Sequence, residues 1–237
     1  MLIGLYLLLN FAVLWFVARS SAARRWPLAM MLLLLGFVVG SANNLLEAVV
    51  YGVLSLRQAV AAAVPAAVVF IILSAAAVLA AGRWKIGSQA ERPHRATLIQ
   101  LAGVVVAYQV LYWTAGTLVY PYIAHFYAAK TIPPVYEVAS LQVVRSLIFF
   151  GAAYPLLRAG LRSAPLIMGL VYGVIGGIAP LLPDNPYMPA DIRFYHGIET
   201  SVSNFLFGLI VGYLFTRAGH CAPLTRKAAC PGLSGSW

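Results

Sequence analysis

Residues 58–82 read QAVAAAVPAAVVFIILSAAAVLAAG, a stretch that contains no charged side chain and lies between Arg57 and Arg83. A helix needs about 20 apolar residues to cross the hydrocarbon core of a bilayer, and this stretch supplies them. A strand of a membrane barrel needs about 9–11 residues and alternates polar with apolar positions. Because the stretch is longer and does not alternate, it predicts a transmembrane helix.

Six other runs of the chain are long and almost free of charge: 1–18, 26–56, 96–129, 138–157, 163–183 and 194–216. The charged residues within the seven runs are Glu47, Arg145 and Glu199. The pattern therefore predicts an all-α polytopic membrane protein with seven transmembrane helices. We expect one transmembrane domain over 1–216 and a flexible cytoplasmic tail over 217–237.

The composition agrees with this fold class. Hydrophobic residues make up 62% of the chain and charged residues 9%, whereas soluble domains carry about 25% charged residues. The net charge of +10 comes from basic residues placed between apolar runs, which is typical of membrane topology rather than of a nucleic-acid partner. The expected partner is the lipid bilayer, and the expected location is a bacterial-type inner membrane.

The loops predict the orientation, because Lys and Arg are retained on the cytoplasmic side. Twelve basic residues lie on one side: Arg19, Arg24, Arg25, Arg83, Lys85, Arg92, Arg95, Arg158, Arg162, Arg217, Arg226 and Lys227. Three lie on the other: Arg57, Lys130 and Arg193. We therefore expect the N-terminus outside and the C-terminus in the cytoplasm. The first run has no basic residue before it and three arginines after it, which is the reverse of a cleavable signal.

The three charged residues inside the runs are the first candidates for function, since such residues are costly in a membrane and usually face a partner or cavity. At about 1.5 Å per residue, Glu47, Arg145 and Glu199 each fall about 10–12 Å below the expected outer surface. Because they share a layer, we expect Arg145 to pair with one of the two glutamates.

Helical spacing extends this layer into an outward-facing polar cluster, because residues three and four apart share a face. Its candidate binding or proton-coupling residues are Glu47, Glu199, His196, Arg145, Asn43, Asn44, Asn204 and His125. The glycines Gly169, Gly173 and Gly177 have the same spacing without polar neighbours, so we expect them to serve helix packing.

The residue types argue against two familiar classes of membrane protein. A retinal protein needs a lysine within a late helix, but Lys85, Lys130 and Lys227 lie between or beyond the runs. A haem-b carrier needs axial histidines, and His125 and His196 both lie near the expected outer edge. No cofactor is predicted. A metal ion is the alternative, with His196 and Glu199 as ligands and Glu47 or His125 completing the set.

Two functions remain open. A protonatable carboxylate in the membrane suits binding or transport of a small solute or cation, with proton coupling. The alternative is a membrane-embedded enzyme that acts on a lipid or periplasmic substrate by Glu/His acid–base or metal chemistry. The sequence favours binding or transport, and it does not identify the ligand or the oligomeric state.

The loop charges predict the topology directly. A reporter fused after Trp237 should give a cytoplasmic signal, and Cys221 and Cys230 should react with thiol reagents only after the membrane is permeabilised. Alkaline phosphatase and fluorescent-protein fusions, with thiol labelling of intact cells, measure both. A periplasmic signal or labelling of intact cells would reverse the orientation.

Overall fold

The computed structural model describes residues 2–85, 96–128, 133–184 and 188–217. Within these ranges the chain is helical and has no β-strand. Seven helices are long and apolar enough to cross a membrane, which confirms the predicted number: α1 Leu2–Ser20, α2 Arg25–Val50, α3 Leu56–Ala80, α4 Leu98–Tyr127, α5 Val135–Ala159, α6 Ala164–Leu181 and α7 Ala190–Arg217. The orientation and the single domain stay predictions. The predicted tail after Arg217, with both cysteines, lies outside the described residues.

Two helices begin at a reciprocal cap formed by a hydroxyl residue and a glutamine three positions later. At α3, Ser55 Oγ accepts a hydrogen bond from the Gln58 backbone N–H at 3.3 Å, and Gln58 Oε1 accepts one from the Ser55 N–H at 2.8 Å. At α4, Thr97 and Gln100 repeat the arrangement at 3.2 and 3.0 Å. Each cap satisfies two backbone N–H groups that helices leave unpaired.

Three helices end at a glycine with positive φ, where a side chain would be strained, and two of these ends share the same hydrogen bond. Gly52 follows α2 with φ +66°, and the next residue, Val53, donates its N–H to the carbonyl of Ala48 at 2.8 Å. Gly82 ends α3 in the same way. The apolar run 26–56 predicts a longer second helix than is present, because hydropathy does not register the turn that Gly52 imposes.

The closest helix pair is α6 and α7, and it depends on glycines on both sides. A Cβ at Gly177 would lie 2.7 Å from the Ser201 Cα, and one at Gly173 would lie 2.9 Å from the Phe205 Cβ. On α7, a Cβ at Gly208 would overlap the backbone carbonyl of Met168. The predicted packing role of the α6 glycines is thereby confirmed.

The centre of the bundle contains two π-helical segments, Val38–Ala42 in α2 and Val171–Ile178 in α6. They lie against each other, since a Cβ at Gly176 would be 2.9 Å from the Val39 Cγ1. π-helical turns widen a helix locally and often occur at functional sites. One segment is part of α2, which carries Asn43 and Glu47, and the other packs against it from α6.

A buried aromatic cluster completes the core around these segments. Tyr172 stacks on Phe149 at 5.2 Å between ring centroids and on Phe207 at 5.4 Å. Tyr108 meets Phe207 edge-on at 4.8 Å, and the Tyr172 hydroxyl donates to the Phe149 carbonyl at 2.8 Å. The cluster joins α4, α5, α6 and α7 and fixes their relative positions.

The glycine contact predicts a selective effect of adding one methyl group. Gly208→Ala should lower the free energy of unfolding by about 1–3 kcal/mol, because the methyl would displace the α6 backbone. Gly151→Ala is the matched control: its Cβ would meet no atom within 4 Å, so alanine should be neutral or stabilising by about 0.5–1 kcal/mol. Thermal unfolding in detergent measures both, and equal effects would contradict the close contact.

Candidate functional site

Arg145 is the most fully partnered charge in the described part of the chain. Its Nη1 donates to Glu47 Oε1 at 2.7 Å and to Gln142 Oε1 at 3.2 Å. With the Asn43 amide oxygen turned toward the guanidinium, Nε and Nη2 both donate to it at 3.0 Å. The expected pairing of Arg145 with a glutamate is thus present, and the structure selects Glu47.

The Arg145 pair is enclosed by the bundle. The Arg145 side chain is 6% exposed and that of Glu47 20%, and Asn43 and Gln142 are buried. A buried ion pair offsets its desolvation only when its remaining donors are satisfied, which Asn43 and Gln142 achieve here. This group of residues neutralises itself and ties α2 to α5.

Two tyrosines border this pair from neighbouring helices. The Tyr51 and Tyr112 hydroxyls lie 3.3 Å apart, and they connect the end of α2 to α4. Gln109, also on α4, donates its amide to the Ala139 carbonyl of α5 at 2.8 Å and accepts from the Trp113 indole at 3.0 Å. Gln109 therefore joins α4 to α5, Trp113 supports Gln109 within α4, and these polar groups are not available to a ligand in this arrangement.

His196 and Glu199 form a second pair, separate from Arg145, on one face of α7. His196 Nδ1 lies 3.0 Å from Glu199 Oε2, and the side chains are 26% and 11% exposed. Thr200 and Ser203 donate their hydroxyls to the carbonyls of His196 and Glu199, at 2.8 and 2.7 Å. These two hydroxyls satisfy the helix backbone, which leaves the imidazole and carboxylate as the groups that can take up protons.

The two pairs lie in one electrostatic environment. His196 interacts electrostatically with Glu47 and Arg145, and Tyr127 with both Glu47 and Glu199. Gly116 of α4 faces the second pair, since a Cβ there would lie 3.4 Å from Glu199 Oε1. Of the residues expected in one polar cluster, α2, α5 and α7 supply Glu47, Asn43, Arg145, His196 and Glu199 to these two pairs, and α4 borders them.

Three candidate residues lie apart from these pairs. Asn204 is buried and donates to the Gly176 carbonyl at 3.1 Å, so it joins α7 to the π-helical segment of α6. His125 Nε2 lies 3.4 Å from Asp191 Oδ2, with side chains 66% and 55% exposed. Asn44 is half-buried and shows no side-chain hydrogen bond to a described residue. None of the three makes a described hydrogen bond or ion pair with the side chains of Glu47, Arg145, His196 or Glu199.

The alternative of a metal site is not supported by this geometry. Among the residues that the structure describes, no three His, Cys, Asp or Glu side chains come together as metal ligands. The structure does not bring the expected ligands together, because Glu47 is bound to Arg145 and His125 faces Asp191. That leaves His196 and Glu199 as two ligands, fewer than the three that zinc sites take from protein.

Sequence reasoning missed the tyrosines of α4. Tyr108, Tyr112 and Gly116 recur every four residues and share a helix face: the first packs in the aromatic core, the second meets Tyr51, and the third faces Glu199. This spacing was visible in the sequence, but tyrosines near a membrane interface are ordinary. Only the contacts distinguish Tyr112 from the interfacial tyrosines.

Comparison of the chain with family models, with curated proteins and with solved structures finds no match in any of the three.

The Arg145–Glu47 pair predicts a specific rescue. Arg145→Ala should lower the yield and thermal stability of the folded protein, because an unpaired buried ion costs about 3–5 kcal/mol. Adding Glu47→Gln should recover part of both, since the orphaned charge is removed. Adding Glu199→Gln instead is the control and should recover neither. Monodisperse yield and unfolding temperature in detergent measure the effect. Rescue by the Glu199 variant would show that Arg145 pairs with Glu199 and not with Glu47.

Proposed function

We propose that this protein binds or transports a small solute or cation in a proton-coupled manner, with the His196–Glu199 pair as the group that exchanges protons. One observation carries the proposal: among the described residues, Glu199 has a titratable histidine as its ion-pair partner, whereas Glu47 has an arginine. An arginine stays charged at all physiological pH values, but a histidine gains and loses its proton near neutrality.

The charges of the two pairs explain why this difference matters. Glu47 and Arg145 sum to zero whether or not a ligand is present. An ionised Glu199 beside neutral His196 leaves one negative charge within the membrane, which is costly without a cation. A proton or a bound cation restores neutrality. Competition between these two for one carboxylate is the basis of coupling.

The position of α4 supports access to this carboxylate. α4 packs against α5 and α7 and is the most exposed of the seven helices along its apolar stretch. Its Gly116 faces Glu199, and Pro121 lies within the helix five residues later. Proline weakens the helical hydrogen bonds around it. A bend of α4 at this point would uncover Glu199 without disturbing the glycine contact between α6 and α7.

The enzyme alternative has less support. A nucleophilic hydroxyl needs an adjacent base within hydrogen-bond reach, but Ser203 and Thr200 donate to backbone carbonyls of their own helix. The metal-dependent form loses its ligand set, as described above. Acid–base chemistry by His196 and Glu199 alone remains the form of this alternative that the residues permit.

Proton flux into liposomes tests the proposal. Wild-type protein is reconstituted with a pH-sensitive dye inside, and an inward gradient of NaCl or KCl is applied. We expect cation-dependent proton movement with at least one of the two salts, and Glu199→Gln should reduce it to the level of empty liposomes. The glutamine amide keeps the shape of the side chain but removes the negative charge to which a proton or a cation would bind.

Glu137→Gln is the matched control, because Glu137 is an exposed glutamate at the start of α5. This variant should keep the wild-type flux. A Glu199 variant that is as active as the Glu137 variant would make Glu199 structural. Flux through wild-type liposomes no faster than through empty ones would contradict coupled transport of these cations. If Glu199→Gln does not fold, His196→Gln provides the same comparison.

A further inference from the structure

We propose that Arg19, Arg24, Arg83 and Arg162, here called the arginine cluster, bind the phosphate headgroup of an anionic phospholipid at the end of the bundle opposite the polar cluster. The inference is independent of the proposed function. It follows from the way three chain connections meet, from the absence of described acidic partners, and from the apolar surface beside them.

The backbone brings the four arginines together. The segment between α1 and α2 is bonded to the segment between α5 and α6: the Ala22 N–H donates to the Gly160 carbonyl at 2.8 Å, and the Arg162 N–H donates to the Ser20 carbonyl at 3.0 Å. The same α1–α2 segment is bonded to the end of α3, because the Arg25 N–H donates to the Arg83 carbonyl at 3.0 Å. Three connections are thereby joined at one surface.

The side chains repel one another at this surface. Arg83 donates its guanidinium to the Arg19 carbonyl. Burial and the charges of Arg24, Arg19 and Arg162, in that order, lower the pKa of Arg83 below its ordinary value. Like charges held in proximity are relieved by a bound anion. Arg83 thus lies within electrostatic range of the other three arginines of the cluster.

No described carboxylate compensates this charge. The described salt bridges involve Glu47, Asp184, Asp191 and Glu199, and none includes a member of the arginine cluster. The helix directions place these acids toward the other end: α2 begins beside the cluster at Arg25, and Glu47 lies three residues before its last residue, Val50. The described residues therefore supply no anion that neutralises the cluster.

A phosphate group is the anion that this chemistry favours. Guanidinium groups are planar and can donate two parallel hydrogen bonds to phosphate oxygens. Of the cluster, Arg24 and Arg162 make no side-chain hydrogen bond or ion pair with a described residue, so their donors are available. Basic pockets between transmembrane helices on the cytoplasmic side are known binding sites for anionic headgroups.

The neighbouring surface favours a lipid over a soluble phosphate. Trp26 and Trp84 meet edge-on at 4.9 Å beside the cluster, as tryptophans do at a headgroup boundary. From Trp26 an exposed apolar track continues along α2 through Met30 and Leu34, with 64%, 59% and 42% exposure. These residues are four apart and share one helix face. A lipid whose headgroup occupies the cluster can lay an acyl chain on this track.

Native mass spectrometry with titrated lipid tests the site. Detergent-purified protein is titrated with phosphatidylglycerol and, separately, with phosphatidylcholine of the same acyl chains. Wild-type protein should bind phosphatidylglycerol more tightly. Each basic residue beside an anionic lipid surface contributes about fivefold, so Arg24→Gln combined with Arg162→Gln should weaken phosphatidylglycerol binding by about 25-fold. Phosphatidylcholine binding should not change.

The matched control removes two charges from the same end outside the cluster. Arg25 and Arg158 are exposed and are absent from the arginines that act on Arg83, so Arg25→Gln with Arg158→Gln should bind phosphatidylglycerol as wild type does. An equal loss in this control would show a general charge effect and overturn the site. Equal binding of the two lipids by wild-type protein would overturn it without any variant. Glycerol phosphate binding as tightly as the lipid would overturn the assignment to a lipid.

Discussion

The ion pair between Arg145 and Glu47 is the interaction on which the polar half of this bundle depends. A charged side chain at the bilayer centre costs about 2.5–3.5 kcal/mol on insertion scales, and a pair recovers that cost only with good geometry and satisfied donors. Here Asn43 and Gln142 accept hydrogen bonds from the Arg145 N–H groups that are not bonded to Glu47. The result fixes α2 against α5 and leaves no surplus charge, so any further carboxylate in the same layer needs another counter-ion.

Glu199 is that further carboxylate, and its position on α7 follows from packing elsewhere. The glycines of α6 and α7 let the two backbones approach closely, and Asn204 bonds α7 to the π-helical segment of α6. This rigid helix pair presents His196 and Glu199 toward α4, where Gly116 leaves room beside the carboxylate. A closed ion pair and a His–Glu pair therefore lie side by side, and the second is the pair that we propose responds to protons and cations.

The two ends of the molecule differ in chemistry. The described carboxylates lie in or near the polar cluster and its adjoining helix ends, whereas the arginine cluster lies where three connections meet at the opposite end. The same asymmetry that predicts membrane orientation also underlies the proposed site for an anionic headgroup. Anchoring of α2 and α3 at that end would leave the peripheral helix α4 free to move at the other, so the proposed lipid and proton sites act on different parts of the bundle.

Hydropathy and charge by themselves determined the seven helices, because the cost of exposing polar groups to lipid applies to any arrangement of them. The helical rise per residue likewise predicted Glu47, Arg145 and Glu199 at one depth. Tertiary structure alone decided which glutamate binds Arg145, because both candidates were predicted at similar depth and only the contacts between helices distinguish them. It also decided that His125 turns to Asp191 and that Tyr112 joins the site, since side-chain contacts between helices depend on packing angles that no single-helix pattern contains.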